Sequence, residues 1–146
     1  MDADKCWDGW TKTEVPVDSG AVDSVLPKDW FPHVQMEESE KSRKNGKYAI
    51  ANGSLIQNYG QKSIRFRTDQ QKDKAVMFQV TDVRRPLLSA NRLRQKGYDV
   101  LLTSNPKLVN TKTGEVIELI EKNGLFLLNM WVKKDTVGDF PRPGTA

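Results

Sequence analysis

The feature that most constrains this chain is the period of its apolar residues. They recur at every second position in short runs, and turn residues separate the runs. In "KSIRFRT", Ile64 and Phe66 alternate with Arg65 and Arg67; in "AVMFQVTDV", Val76, Phe78 and Val80 fall on one face. Successive side chains of an extended strand point to opposite faces, so this spacing describes half-buried strands. The intervening "DQQKDK" reads as a solvated hairpin loop. "YAIANGSLIQ" sets Asn52-Gly53 between two strand-like runs. That pair is preferred in type I′ hairpin turns, where both central residues take positive φ. "YDVLLT", "EVIELIE" and "GLFLLNMWV" read as further strands, with turns at Asn105-Pro106, Thr113-Gly114 and Asn123-Gly124. The expectation is an all-β protein of about seven to nine short strands.

One segment departs from period two. "PLLSANRLRQKG" combines helix formers, a possible Ser89 cap, basic residues in its last turn and Gly97 just beyond it. It predicts one short late helix. The 146 residues suffice for one domain with a real core. We expect that domain over residues 9–134, with a polar N-terminal tail over 1–8 and a Pro/Gly-rich tail over 135–146.

The net charge of +4 is too weak to argue for nucleic acid, and the basic stretches "EKSRKNGK" and "KSIRFR" are interrupted by acidic or polar residues. In the second stretch, alternation sets Phe66 opposite Arg65 and Arg67, unlike an aromatic–basic binding stripe. Nucleic acid is therefore not the expected partner. Cys6 is the sole cysteine and His33 the sole histidine. No internal disulfide can form, and a Cys/His zinc site lacks ligands. Neither a metal nor a cofactor is expected, and His33, in "WFPHVQ", reads as a surface histidine. No apolar stretch approaches the length of a membrane span, and no signal-peptide core follows Met1. A cytoplasmic protein without membrane contact is the expectation.

The stretch that bears on function is "EVPVDSGAVDSVLP", residues 14–27. Val15 and Val17 carry a strand into Asp18, and Ser19-Gly20 turn the chain after it. A small, glycine-containing turn leaves a carboxylate with little steric cover, and surrounding N–H groups can hold it ionised. An ordinary Asx-turn aspartate has the same local sequence. The residues of the turn leave both readings open.

Over about ten residues, "VDSGAVDSVLP" resembles the active-site loop of the retropepsins, the aspartic proteases of retroviruses and retrotransposons. "RPLLSANRLRQKGYDVLLT" resembles their late helix and is closer still to copia-type retrotransposon polyproteins. "YAIANGSLIQNYGQKSIRFRT" and "NTKTGEVIELIEKNGLFLLNMWV" are similar to the hairpin and the closing strand of the same group. The resemblance spans roughly residues 14–132. It implies a retropepsin-like closed β-barrel with one short late helix, one lobe per chain. It also implies an aspartic endopeptidase that cuts a polyprotein, in the cytoplasm or inside a retroelement particle. The chain holds a single Asp-Ser-Gly, so the resemblance implies a homodimer in which Asp18 of each copy meets at a two-fold axis. Asp18, Ser19 and Gly20 would form the catalytic turn, Ser19 bonding across the axis. Ala21, Val22, Asp23 and a flap hairpin tipped by Asn52, Gly53 and Ser54 would hold an extended peptide. "MEESEKSRKNGK" is a competing position for a mobile loop. The closing strand would pair between subunits or serve as a plain core strand.

Two departures matter. Retropepsins often pair an aspartate two residues after the motif glycine with an arginine at the start of the late helix. Here those positions hold Val22 and Ala90. Asp23 with Arg92 or Arg94 could replace that pair. The alternative function is a catalytically inactive retropepsin-like module that binds extended peptides, a domesticated or decayed retroelement fragment.

Overall fold

The computed structural model describes residues 9–133. The tails expected over 1–8 and 135–146 lie outside them. The strands are β1 (Trp10–Asp18), β2 (Val25–Pro27), β3 (Lys47–Ala49), β4 (Leu55–Arg67), β5 (Asp73–Thr81), β6 (Leu88–Ser89), β7 (Tyr98–Leu101), β8 (Lys107–Asn110), β9 (Val116–Glu118), β10 (Ile120–Lys122) and β11 (Leu125–Lys133). Two helices interrupt them, α1 (Glu40–Arg43) and α2 (Ala90–Gln95). The mostly-β expectation holds, and the late helix lies where the sequence places it.

Eight strands form one sheet, ordered β2-β5-β4-β11-β1-β6, with β10 added on β11 and β3 on β4. The other three form a small sheet, β9-β8-β7. Neither sheet closes into a barrel, so the closed barrel is not observed. The two ends of the large sheet are instead tied by an isolated antiparallel bridge between Val25 and Leu87. Its two hydrogen bonds measure 2.9 and 3.0 Å. With β2 only three residues long, there is room for little more than such a bridge.

Period two survives intact. Along β4, Asn58, Gly60, Lys62, Ile64 and Phe66 turn inward. Facing inward from other strands are Phe78, Val15, Leu128 and Met130, which share the core with Ile64, Leu108 and Ile117. Lys62 obeys the same alternation and is buried, its ammonium donating to the carbonyls of Trp30 (3.1 Å) and Phe31 (3.0 Å). Burial pushes its pKa down, and the nearby Asp29 charge offsets part of that shift.

Two local expectations need correction. The hairpin at Asn52-Gly53 is real, but it is not type I′. Ile50 and Ser54 close a three-residue loop, Gly53 N–H returns to Ile50 O at 2.8 Å, and only Gly53 takes positive φ, at 88°. This is the longer hairpin built on a type I turn with a left-handed glycine. Type I′ occurs instead at Asn123-Gly124, where both residues have positive φ (53° and 78°). Second, residues 36–47, the competing position for a mobile loop, are partly helical. They hold α1, closed by a capping box in which Ser39 and Ser42 bond each other's backbone. The closing strand β11 pairs within its own chain. It is interior to the sheet, bonded to β1 from Leu127↔Pro16 to Lys133↔Trp10 and flanked by β4 and β10.

The register of β4 shifts at a bulge between Asn58 and Gly60. Gly60 has φ of 152°, and a Cβ there would stand 2.5 Å from Glu37 O and 2.8 Å from Met36 Cγ. The Glu37–Gln61 bridge fixes that carbonyl, so it cannot retreat cheaply. Gly60→Ala is expected to cost about 2 kcal/mol or more. Urea unfolding of the variant beside Gly53→Ala, whose Cβ meets nothing within 4 Å, checks the steric part.

Candidate functional site

Asp18 ends β1, after Val15 and Val17 have turned into the core. Its carboxylate is half-exposed and accepts from Gly20 N–H at 2.8 Å, while Ala21 N–H reaches Asp18 O at 3.4 Å. The Asx-turn geometry is therefore present, and it holds one carboxylate oxygen (Oδ1) in place. Ser19 and Gly20 are exposed, and so is Val22, at 64%.

What fixes this turn comes from far along the chain. β1 pairs in parallel with β6, placing Asp18 opposite Ser89. Ser89 is fully buried. Its hydroxyl accepts from Arg92 N–H at 3.1 Å as the cap of α2 and donates to Ala21 O at 2.8 Å. Its backbone N–H donates to Ser24 Oγ at 2.9 Å. A hydroxyl can do both because it carries one donor and two acceptor sites. The Asp18–Ser24 loop is thus pinned to the start of the late helix. The cap was legible in "LLSAN". The contacts to Ala21 and Ser24 were not, since nothing local marks a partner more than sixty residues away.

Asp23 faces inward rather than toward Asp18. It is 7% exposed, accepting from Arg92 Nε at 2.7 Å and from the Tyr48 hydroxyl at 2.8 Å. Of the two arginines the sequence offered, the fold selects Arg92. Tyr48 in turn accepts from Asn58 Nδ2 at 3.1 Å, and that amide also reaches Gln79 Oε1 at 2.8 Å. The oxygen of Asn58 accepts from Ser39 Oγ and Gly60 N–H, both at 2.9 Å. One polar chain therefore joins α2, the loop that follows Asp18, the base of the β3–β4 hairpin and α1. Sequence reasoning missed Tyr48 and Asn58, which sit at unremarkable strand positions.

The hairpin tip, Asn52, Gly53 and Ser54, is exposed, and Asn52 Oδ1 accepts from Ser54 N–H at 2.9 Å. Ile50 and Leu55 flank it and are also exposed. No hydrogen bond joins this tip to the Asp18 turn among the described residues. Among the described residues no cluster of three or more His, Cys, Asp or Glu is arranged to hold a metal ion, and no helix is long and apolar enough to cross a membrane.

No protein-family model, no curated protein and no solved structure matches the chain.

Burial, and secondarily the hydrogen bond to Asp23, raise the pKa of Tyr48 above its usual 10.0. The folded state then holds a proton that the unfolded chain has released, so this contribution is present below pH 10 and fades as pH rises through the folded value. Tyr48→Phe is expected to lose about 1–3 kcal/mol at neutral pH, where it takes one hydrogen bond each from Asp23 and Asn58. The gap to wild type should narrow above about pH 10. Chemical unfolding of both proteins across that range measures it.

Proposed function

We propose that the chain is one half of a homodimeric aspartic endopeptidase of retropepsin type, hydrolysing peptide bonds of a polyprotein. The observation that carries this reading is the parallel register of Asp18 with Ser89. It places an Asp-Ser-Gly turn at the end of an apolar strand, fastened to the N-cap of the late helix. The Asp23–Arg92 pair supports the same reading, because it binds that turn to that helix by a route other than Ser89. The Val25–Leu87 bridge supports a retropepsin-like lobe, since it joins the ends of the large sheet.

One carboxylate is not enough for this chemistry. Two held about 3 Å apart cannot both ionise and so share a proton, as is known of aspartic proteases themselves. The ionised partner takes a proton from water while the protonated partner donates to the scissile carbonyl, and the pair titrates as a unit. A second copy approaching along a two-fold axis would bring its Asp18 to this one. It would cover Ser19 and Val22, which lie on the surface here. Gly20 N–H already holds one Asp18 oxygen; in the proposed dimer the other would meet the partner or the water. The β3–β4 hairpin, with Ile50 and Leu55 exposed on either side of its tip, serves as the flap that closes on an extended peptide.

The test is cleavage of a mixed peptide library between about pH 4 and 7, the range in which a shared-proton pair works. Asp18→Asn should lower the rate by roughly 10²–10⁴-fold, the usual weight of general acid–base catalysis. A statine-type inhibitor should block the wild type, and activity should rise more steeply than linearly with protein concentration. Undiminished cleavage by folded Asp18→Asn protein would sink the reading. A folded dimer that binds peptides and cleaves none would leave the inactive peptide-binding module.

A further inference from the structure

A cleft of about 850 Å³ opens between the large sheet and the small one. Asp18 and the hairpin tip take no part in it. Its walls come from six elements that are scattered in sequence: Phe66 (β4), Val76 (β5), Leu93 (α2), Leu108 (β8), Ile117 (β9) and Leu128 (β11). Protein interiors are close-packed, with few voids larger than a water molecule. A cleft of this size with an apolar floor is in the range that takes small-molecule ligands, roughly 300–1,000 Å³.

The charges on its walls choose the ligand. Lys41, Lys44, Lys74, Arg92 and Lys96 line it, against Asp23 and Glu40. Arg92 is matched by Asp23, Lys44 by Glu40 and Lys74 by Glu115. Lys41 and Lys96 are left without an ion pair among the described residues. Lys41 stands over the Tyr48 ring at 4.1 Å, Tyr48 bonds Asp23, and Asp23 bonds Arg92. Lys96, the C-cap of α2, follows Arg92 by four residues, about one turn further along. Lys41, Arg92 and Lys96 all line the cleft together with its apolar walls.

We propose that this cleft binds an amphiphilic anion: a hydrocarbon body of acyl-chain size carrying a carboxylate or equivalent head group. The body would lie against Phe66, Val76, Leu93 and Ile117, and the head at Lys41 and Lys96. A neutral amphiphile forgoes the head-group interaction, and a cationic one is repelled by it. The inference is independent of the protease reading, since it uses neither Asp18 nor a dimer.

The experiment titrates the full chain with dodecanoate below its micellar concentration, read by calorimetry and by methyl shifts of Leu93, Leu108, Ile117 and Leu128. Dodecanol and dodecyltrimethylammonium serve as head-group controls. Saturable one-to-one binding is expected, with shifts at those methyls. Removing two methylenes should weaken it roughly tenfold. Dodecyltrimethylammonium should bind at least about tenfold more weakly, as should dodecanoate to the double variant Lys41→Gln/Lys96→Gln. Lys96 is exposed and Lys41 half-exposed, so the variant should fold, and a matching melting curve verifies that. The proposal is overturned if dodecanoate does not saturate a single site, if the cationic and anionic amphiphiles bind alike, or if the shifts fall outside the cleft.

Discussion

A carboxylate removed from water must be matched by charge and hydrogen bonds. At Asp23 that requirement organises much of this protein. Its partners come from elements that share no local sequence signal, Arg92 on α2 and Tyr48 on β3. Satisfying Asp23 brings the late helix and the hairpin base to the end of the Asp-Ser-Gly loop. Asn58 extends the chain to Ser39 and Gln79, so α1 and β5 are held by the same network. The pair is asymmetric. Asp23 is buried whereas the Arg92 side chain is about half exposed, at 52%. Arginine can turn to water if its partner is lost; the aspartate cannot.

Around that anchor the turn at Asp18 gains a fixed shape from one side only. Ser89 holds Ala21 and Ser24, and Gly20 holds the Asp18 carboxylate. Ser19 and Val22 face outward without cover. A loop clamped on its inner side and bare on its outer side is what a proposed half-site requires. β11 lies inside the same sheet, paired with β1 along most of its length and with β10 at its start.

Much of the local structure was legible in the residues. Ile64, Phe66, Val76, Phe78 and Val80 keep their period-two faces, and Ser89 caps the helix that "SANRLRQKG" predicts. Other features were not legible. Asn-Gly occurs three times, at 45–46, 52–53 and 123–124, yet only the last has positive φ at both residues and forms a type I′ turn. The dipeptide permits that turn, but the register of the flanking strands decides it. The Ile50–Ser54 closure leaves three residues in the loop, while Lys122↔Leu125 leaves two. Burial of Lys62 was likewise hidden, because its stabilising carbonyls belong to a loop some thirty residues earlier.

The sequence by itself determined the alternation of faces, the positions of most turns, the late helix and the Asp-Ser-Gly turn with its internal Asx bond. These depend on interactions between near neighbours, which a linear string records. Only the tertiary structure decided that Asp18 lies against Ser89, that Arg92 rather than Arg94 meets Asp23, that the sheet stays open, and that a cleft forms between the two sheets. Each of those depends on pairing residues tens of positions apart, where register and burial, not local preference, choose the partner.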